Sequence, residues 1–264
     1  MKVGLCSIIW KARMDIFEVI EMAARVGAEG IEVWGQPPHM PDEDHLRHAT
    51  EIRQAMQTRG LSAPQYGAYA CAGKPDFADD ISRSLDITEA LEAPACRIWA
   101  GPGDAEKLTA EQWSLTIADL KSACTQAAER GLLVTLERHN GNATNSLWGC
   151  FRVLEEVNSP ALRINFQTMR RDSEVIAEEI RALGPHILNS HATNANYTEE
   201  GRFPTRLSEG EVDWASLISA LKRSDNQGFI EIEFVQRGKQ ELSLEETESE
   251  LAADVAFLKS CIAG

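Results

Sequence analysis

The sequence predicts a single (β/α)8 barrel covering residues 1–264, and three observations lead there. Eight short β-branched or apolar runs alternate with longer amphipathic runs, their starts 24 to 43 residues apart, about the chain a βα unit needs. No composition break or linker divides the chain. The glycine fingerprint of a doubly wound sheet, the competing architecture, is missing: Gly101-Pro-Gly103-Asp-Ala-Glu106 comes nearest but follows the fourth run and has Glu where a small residue belongs.

The strand-like runs are Val3–Ile9, Gly30–Trp34, Leu61–Tyr66, Ala95–Ala100, Leu132–Glu137, Leu162–Gln167, His186–His191 and Phe229–Phe234. Helix signals lie between them. Asp15–Ala24 puts Ile16, Val19, Ile20 and Ala23 on one face, with Gly27 as a stop. Thr109-Ala-Glu-Gln112 reads as a capping box opening a helix to Glu129, and Ser243-Leu-Glu-Glu246 opens the last helix in the same way. Asp213 caps a helix that begins at Trp214. The connection from about 192 to 212 is long for a compact domain and reads as a lid or binding loop.

Composition narrows the partners. With 26 Lys+Arg against 41 Asp+Glu the net charge is −15, which repels phosphate backbones and anionic lipid, so neither nucleic acid nor a membrane is expected as partner. Six scattered cysteines without a CxxC pair suit reduced, buried thiols and a cytoplasmic location. No run of ~18 apolar residues occurs.

Side chains alternate faces along a strand. One parity is apolar (Ile31 and Val33; Val134 and Leu136; Ile164 and Phe166; Ile230, Ile232 and Phe234) and should pack on the helices. The other is polar on most strands: Glu32 and Trp34, Arg97 and Trp99, Thr135 and Glu137, Asn165 and Gln167, Asn189 and His191, Glu231 and Glu233. A purely structural barrel fills this interior with Val, Ile and Leu. Unpaired buried polar groups cost ~1–3 kcal/mol each, so the layer is either a hydrogen-bonded network or chemistry. Arg97 is expected as counterion to Glu32 and Glu231. Glu137, Gln167, His191 and Glu233 end the last four strands at one depth, the face where barrel sites lie. Two carboxylates, an imidazole and an amide oxygen suit a divalent cation, Mn²⁺ or Mg²⁺.

The segments GIEVWG at 30–35, VTLERHNG at 134–141, RINFQT at 163–168, LNSHATN at 188–194, EGEVDW at 209–214 and GFIEIEF at 228–234 resemble, in this order, the xylose-isomerase-like barrel superfamily of sugar isomerases and epimerases. The resemblance implies that Glu137 and Glu233 bind a metal and shuttle protons and that His191 is a further ligand. The strand-six position is usually Asp followed three residues later by His; here Gln167 and Arg170 stand there, a weaker donor set. The superfamily's phosphodiester-cleaving members carry extra His ligands on strands three and four, where this chain has Tyr66 and Trp99–Ala100.

The implied activity is metal-dependent isomerisation or epimerisation of a sugar or polyol, by proton transfer next to a carbonyl through an enediolate. A dehydratase or lyase on the same site, and a metal-free carbohydrate-binding barrel, stay open, as does a homo-oligomeric state. Candidate substrate-binding residues are Glu32, His139, Arg170, Asn194, Arg202, Arg206 and the aromatic Trp10, Trp34, Tyr66 and Trp99, each with core packing or solvent exposure as the competing role. Trp113, Trp148 and Trp214 read as core, and His39, His45 and His48 as surface. Arg237-Gly-Lys239 follows the last strand, where barrels often bind phosphate.

Overall fold

Eight parallel strands close on themselves in the computed structural model, which describes residues 1–11, 13–238 and 241–264. In chain order they are β1 (Lys2–Cys6), β2 (Gly30–Trp34), β3 (Tyr66–Cys71), β4 (Ala95–Trp99), β5 (Leu133–Glu137), β6 (Leu162–Gln167), β7 (Ile187–Ala192) and the eighth barrel strand β10 (Phe229–Ile232), which pairs with both β7 and β1. The helices α1 (Ile16–Arg25), α2 (His45–Thr58), α3 (Phe77–Ala90), α4 (Ala110–Glu129), α5 (Leu147–Val157), α6 (Ser173–Leu183), α7 (Trp214–Arg223) and α8 (Leu244–Ala263) alternate with the strands. The connection after β7 is an antiparallel hairpin, β8 (Ala195–Thr198) and β9 (Gly201–Pro204). Among the described residues no helix is long and apolar enough to cross a membrane.

The alternation works as expected. Ile31, Val33, Val134, Leu136, Ile164, Phe166, Ile230 and Ile232 are buried with the helices' apolar faces in one continuous core. Helix ends follow local chemistry: Thr109 and Ser243 form capping boxes with Gln112 and Glu246, Asp15 forms another with Glu18, and the Asp213 carboxylate accepts from Ser216 N.

Three strands differ from expectation by more than one residue at a boundary. β1 stops at Cys6, because Ser7 turns into a short 3-10 segment and its Oγ accepts from Trp34 N at 2.8 Å, taking the place of a ladder carbonyl. The third strand begins at Tyr66 rather than ending there. Pro64 lacks a donor, and 61–63 contributes only an isolated bridge between Gly30 and Ser62. β10 ends at Ile232, leaving Phe234 part-exposed instead of packed on the helices.

Candidate active site

The closed register sets the depth of each inward side chain. Gln167 lies beside His191, His191 beside Glu231, and Glu233 N donates to Ala192 O one step above. The tilt of the strands pairs Glu137 with Asn165, one inward step below Gln167.

Below the mouth lies a buried ionic network. Arg97 Nε donates to Glu32 Oε1 at 2.7 Å, and its Nη1 lies 2.8 Å from Glu137 Oε2. The expected Arg97–Glu231 pair does not form, because Glu137 takes the second face of the guanidinium. Glu231 accepts instead from Gln65 Nε2 at 3.0 Å, while Gln65 Oε1 accepts from Thr135 Oγ1 at 2.8 Å. Gly67 makes room for this network: a Cβ there would lie 2.6 Å from Glu32 Oε1 and 2.9 Å from Arg97 Nη2.

Burial alone would raise every carboxyl pKa in this network, and the local charges decide the outcome. For Glu32 the raising effect is overcome by Arg97 and His191, which hold it at about 2. Burial also acts on Glu137, but Arg97 and His191 bring it below the usual carboxylate range. Burial pushes Glu233 up to about 7, opposed by His191 and reinforced by Glu137. Burial and the facing Glu32 carboxylate push Glu231 well above the usual carboxylate range, which favours its protonated form.

At the mouth, His191 Nδ1 is 3.7 Å from an oxygen of Glu137 and 3.7 Å from an oxygen of Glu233. One donor atom from each of the three residues lies within 4.8 Å of the others. His191 Nδ1 and Gln167 Oε1 are both buried without a hydrogen-bond partner, while Gln167 Nε2 donates to Glu233 Oε2 at 3.3 Å. An unpartnered imidazole nitrogen and an unpartnered amide oxygen beside two carboxylates are what a divalent cation would satisfy, displacing the proton that the surrounding carboxylates otherwise favour on His191, so the residues fit such a group. His191 Nε2 meets Glu32 Oε2 at 2.6 Å, the outer carboxylate contact that turns an imidazole's other nitrogen toward a metal. The alternative cluster of Cys6, Glu32 and His191 is less suited, since burial pushes the Cys6 thiol far up and Nε2 is already engaged.

Of the other expected substrate contacts, Trp34, Trp99 and His139 do line one side of the mouth. Tyr69 joins them: Trp34 Nε1 donates to its hydroxyl at 2.7 Å, and the ring centroids run Trp34–Tyr69 6.4 Å, Tyr69–Trp99 6.2 Å and Trp99–His139 5.4 Å. Sequence pattern alone does not single out Gln65, Gly67 and Tyr69, because it places the third strand at Leu61–Tyr66, ahead of its position at Tyr66–Cys71. The alternation from Gly67 to Cys71 could have revealed Tyr69.

Tyr66 is not a mouth residue. Its hydroxyl packs against Gly35, and the ring lines a separate small cavity with Asp42 and Arg83. Trp10 is wholly buried in the core, drawn in by the 3-10 turn. Arg206 turns away to a two-pronged contact with Glu250 of α8. Asn194 faces the cavity beside the mouth, but its side chain is consumed by Leu207 O, Val212 O and Val212 N, locking the long connection. Arg170 and Arg202 line that cavity.

Two further readings change. His39 is buried, bridging Ser7 Oγ and Met14 O, and burial pushes its pKa down. Trp148 is 55% exposed, because α5 turns it outward toward Trp113 and Arg152. Arg237 pairs with Glu209 and Glu250, and Lys239 lies outside the described residues.

Known proteins resemble this chain over most of its length. Residues 20–261 match the family described as xylose isomerase-like TIM barrel. The 3-dehydroshikimate dehydratase of Bacillus anthracis is 22% identical over 266 residues, 88% of this chain and 90% of that protein. The L-ribulose 3-epimerase of Methylomonas sp. (strain DH-1) is 26% identical over 161 residues, 59% of this chain and 53% of that protein. The crystal structure of D-allulose 3-epimerase from Methylomonas sp. in complex with D-allulose superposes with a TM-score of 0.74 at 20% identity, covering 98% of this chain and 96% of that one.

Proposed function

This chain belongs to the xylose isomerase-like TIM barrel family, and from that premise we propose that it removes a proton next to the carbonyl of a small polyhydroxylated substrate, with Glu137 and Glu233 as the proton-transferring pair. The observation that carries this reading is the convergence of both carboxylates on His191 Nδ1, 3.7 Å from each, beside an unpartnered Gln167 oxygen. Glu137, Gln167, His191 and Glu233 would hold a divalent cation, Mn²⁺ or Mg²⁺. When bound it supplies Lewis-acid polarisation of the carbonyl and stabilises charge on the enediolate.

The two glutamates are not equivalent. Glu137 has one oxygen committed to Arg97, which keeps it ionised and oriented. Glu233 has the Gln167 amide and His191 at 3.7 Å but no arginine beside it, and is freer to accept the proton. In epimerisation, Glu233 takes the proton from one face, Glu137 picks up a proton from solvent and passes it to the other, and Glu233 returns its proton to solvent, so the protein is unchanged. The aromatic row from Trp34 to His139 excludes water from one side and offers ring faces to the substrate.

Dehydration is the second reading, favoured because the relative matched along 88% of this chain is a dehydratase. In that case Glu233 takes the proton, the C–O bond to a β-hydroxyl breaks and a C=C bond forms. The proton on Glu233 passes to the leaving oxygen, so substrate becomes product plus water and the protein is unchanged.

The test is solvent-deuterium incorporation followed by NMR and mass spectrometry, on manganese-loaded protein with L-ribulose, D-allulose and 3-dehydroshikimate. Label entering next to the carbonyl at constant skeleton marks epimerisation; a product lighter by one water marks dehydration. Glu137→Gln and Glu233→Gln are each expected to lower the rate by about 10²–10⁴-fold. Turnover within threefold of wild type in both variants refutes the reading.

A further inference from the structure

The mouth of the barrel has two unlike sides. Strands β2 to β4 and the turn after β5 supply the aromatic row Trp34, Tyr69, Trp99 and His139. Opposite, the β6–α6 connection supplies Arg170 and Arg171, and the β8–β9 hairpin supplies Arg202. With Gln167 and His139 these three arginines line a cavity of about 460 Å³ that reaches the carboxylate cluster through Gln167. We propose that this cavity receives the carboxylate of an anionic substrate, with Arg171 and Arg202 as its clamp, so that the protein acts on a small hydroxy-keto acid rather than a neutral sugar. The proposal rests on the reading of Glu137 and Glu233 as reacting groups and names the substrate class of that site.

Charge economy is the first argument. Acidic residues outnumber basic ones by 41 to 26, and arginines around this connection are generally saturated: Arg206 by Glu250, Arg237 by Glu209 and Glu250. Arg171 and Arg202, by contrast, have no acidic side chain within ion-pair distance among the described residues. Two exposed guanidinium groups without an acidic partner, on a cavity that Gln167 shares with the carboxylate cluster, point in so acidic a chain to an anion supplied from outside.

Their placement is the second argument. Arg171 stacks over the Tyr197 ring at 3.5 Å, and Tyr197 sits directly opposite Arg202 in the hairpin register. Stacking fixes the plane of a guanidinium while leaving its N–H edge free for the two parallel hydrogen bonds a carboxylate accepts. Arg170 is largely exposed, its nearest acid Glu179 at 3.9 Å, and adds positive potential at the rim.

The third argument is electrostatic need. A bound divalent cation would be offset by Glu137 and Glu233, which leaves no net positive charge at the reacting end for a second acidic group, so the anionic end must be held by cations on the far side. A neutral ketose requires no such escort. Phosphate is disfavoured, because Arg237, at the position after the last strand where barrels commonly bind it, faces Glu209 and Glu250 instead.

The test separates charge from shape. Calorimetry on the manganese-loaded protein compares shikimate with methyl shikimate, two unreactive ring polyols that differ in the carboxylate charge and one ester methyl, and with D-fructose 6-phosphate. Shikimate is expected to bind at least tenfold tighter than its ester and than the ketose phosphate. Arg171→Gln and Arg202→Gln should each weaken shikimate 10- to 100-fold and leave the ester within threefold, with Arg202→Lys restoring part of the loss. Equal binding of acid and ester, tighter binding of the phosphate, or indifference of both arginine variants overturns the proposal. If the acid preference fails while deuterium incorporation still depends on Glu233, only the substrate class is wrong. Should the preference hold while the glutamate variants keep full turnover, the assignment of the reacting groups is what fails.

Discussion

Replacing Arg97 by Met tests the ionic network beneath the mouth. The guanidinium is buried between Glu32 and Glu137, at 2.7 and 2.8 Å, and lies 5.3 Å from the Trp99 ring. Methionine keeps much of the volume and removes the charge, so two carboxylates in the barrel interior lose their counterion. Glu32 is held at about 2, well below the ordinary carboxylate value, which corresponds to roughly 3 kcal/mol of stabilisation at neutral pH. Breaking a buried ion pair by removing one partner costs about 3–5 kcal/mol, in the same range. For a chain of this size that is a fall of roughly 10 °C in melting temperature. Urea denaturation at pH 7 should show the lower midpoint with an unchanged slope. The sign with pH follows from Glu32: its folded pKa is depressed, so its contribution is present above the unfolded carboxylate range and lost as pH falls toward about 2. The gap between wild type and Arg97→Met should therefore narrow on acidification, and Arg97→Met combined with Glu32→Gln should recover part of the loss at pH 7. A single variant within ~0.5 kcal/mol of wild type at pH 7, or a gap that widens as pH falls, would refute the reasoning.

Gly67→Ala places a methyl against Glu32 Oε1 and Arg97 Nη2, so we expect ~1–3 kcal/mol of destabilisation in urea and weaker manganese binding by calorimetry; an unperturbed variant contradicts the packing account. Asp254 of α8 accepts from Leu207 N, and burial pushes it up to about 6, so the folded state holds its proton longer than the unfolded chain and stability declines as pH rises from about 4 through 6. Asp254→Asn keeps an acceptor without the charge. It should melt above wild type at pH 8 by an amount on the order of 1–3 kcal/mol and close to it at pH 4, whereas equal melting at both pH values argues against a buried charge there. Chelator treatment followed by manganese titration should raise the melting temperature of wild type and not of His191→Ala, read by calorimetric scanning.

Much of the barrel was legible because its determinants are local. The alternation Ile31–Glu32–Val33 or Leu136–Glu137 states which side faces helix and which faces interior, and Thr109 with Gln112 or Ser243 with Glu246 announces a helix start in four residues. The third strand was misplaced for a matching reason. Leu61–Tyr66 is apolar enough to read as a strand, while the real one, Tyr66–Cys71, is built of Gly, Ala, Tyr and Cys without a β-branched residue, and only its neighbours in the closed sheet hold it extended. That displacement hid Gln65, Gly67 and Tyr69 and moved Tyr66 to the wrong end.

By itself the sequence determined the architecture, the family likeness and which strand ends carry Glu137, Gln167, His191 and Glu233, since each depends on residue type and short-range spacing. Tertiary structure alone decided which charges neutralise one another. Arg97 chose Glu137 over Glu231, Arg206 was drawn to α8, and Arg171 and Arg202 were left free at the cavity. Such choices turn on contacts between residues tens to more than a hundred positions apart, and which weakly screened buried charges come into direct contact is settled by differences of a few ångströms that strand order and spacing do not encode.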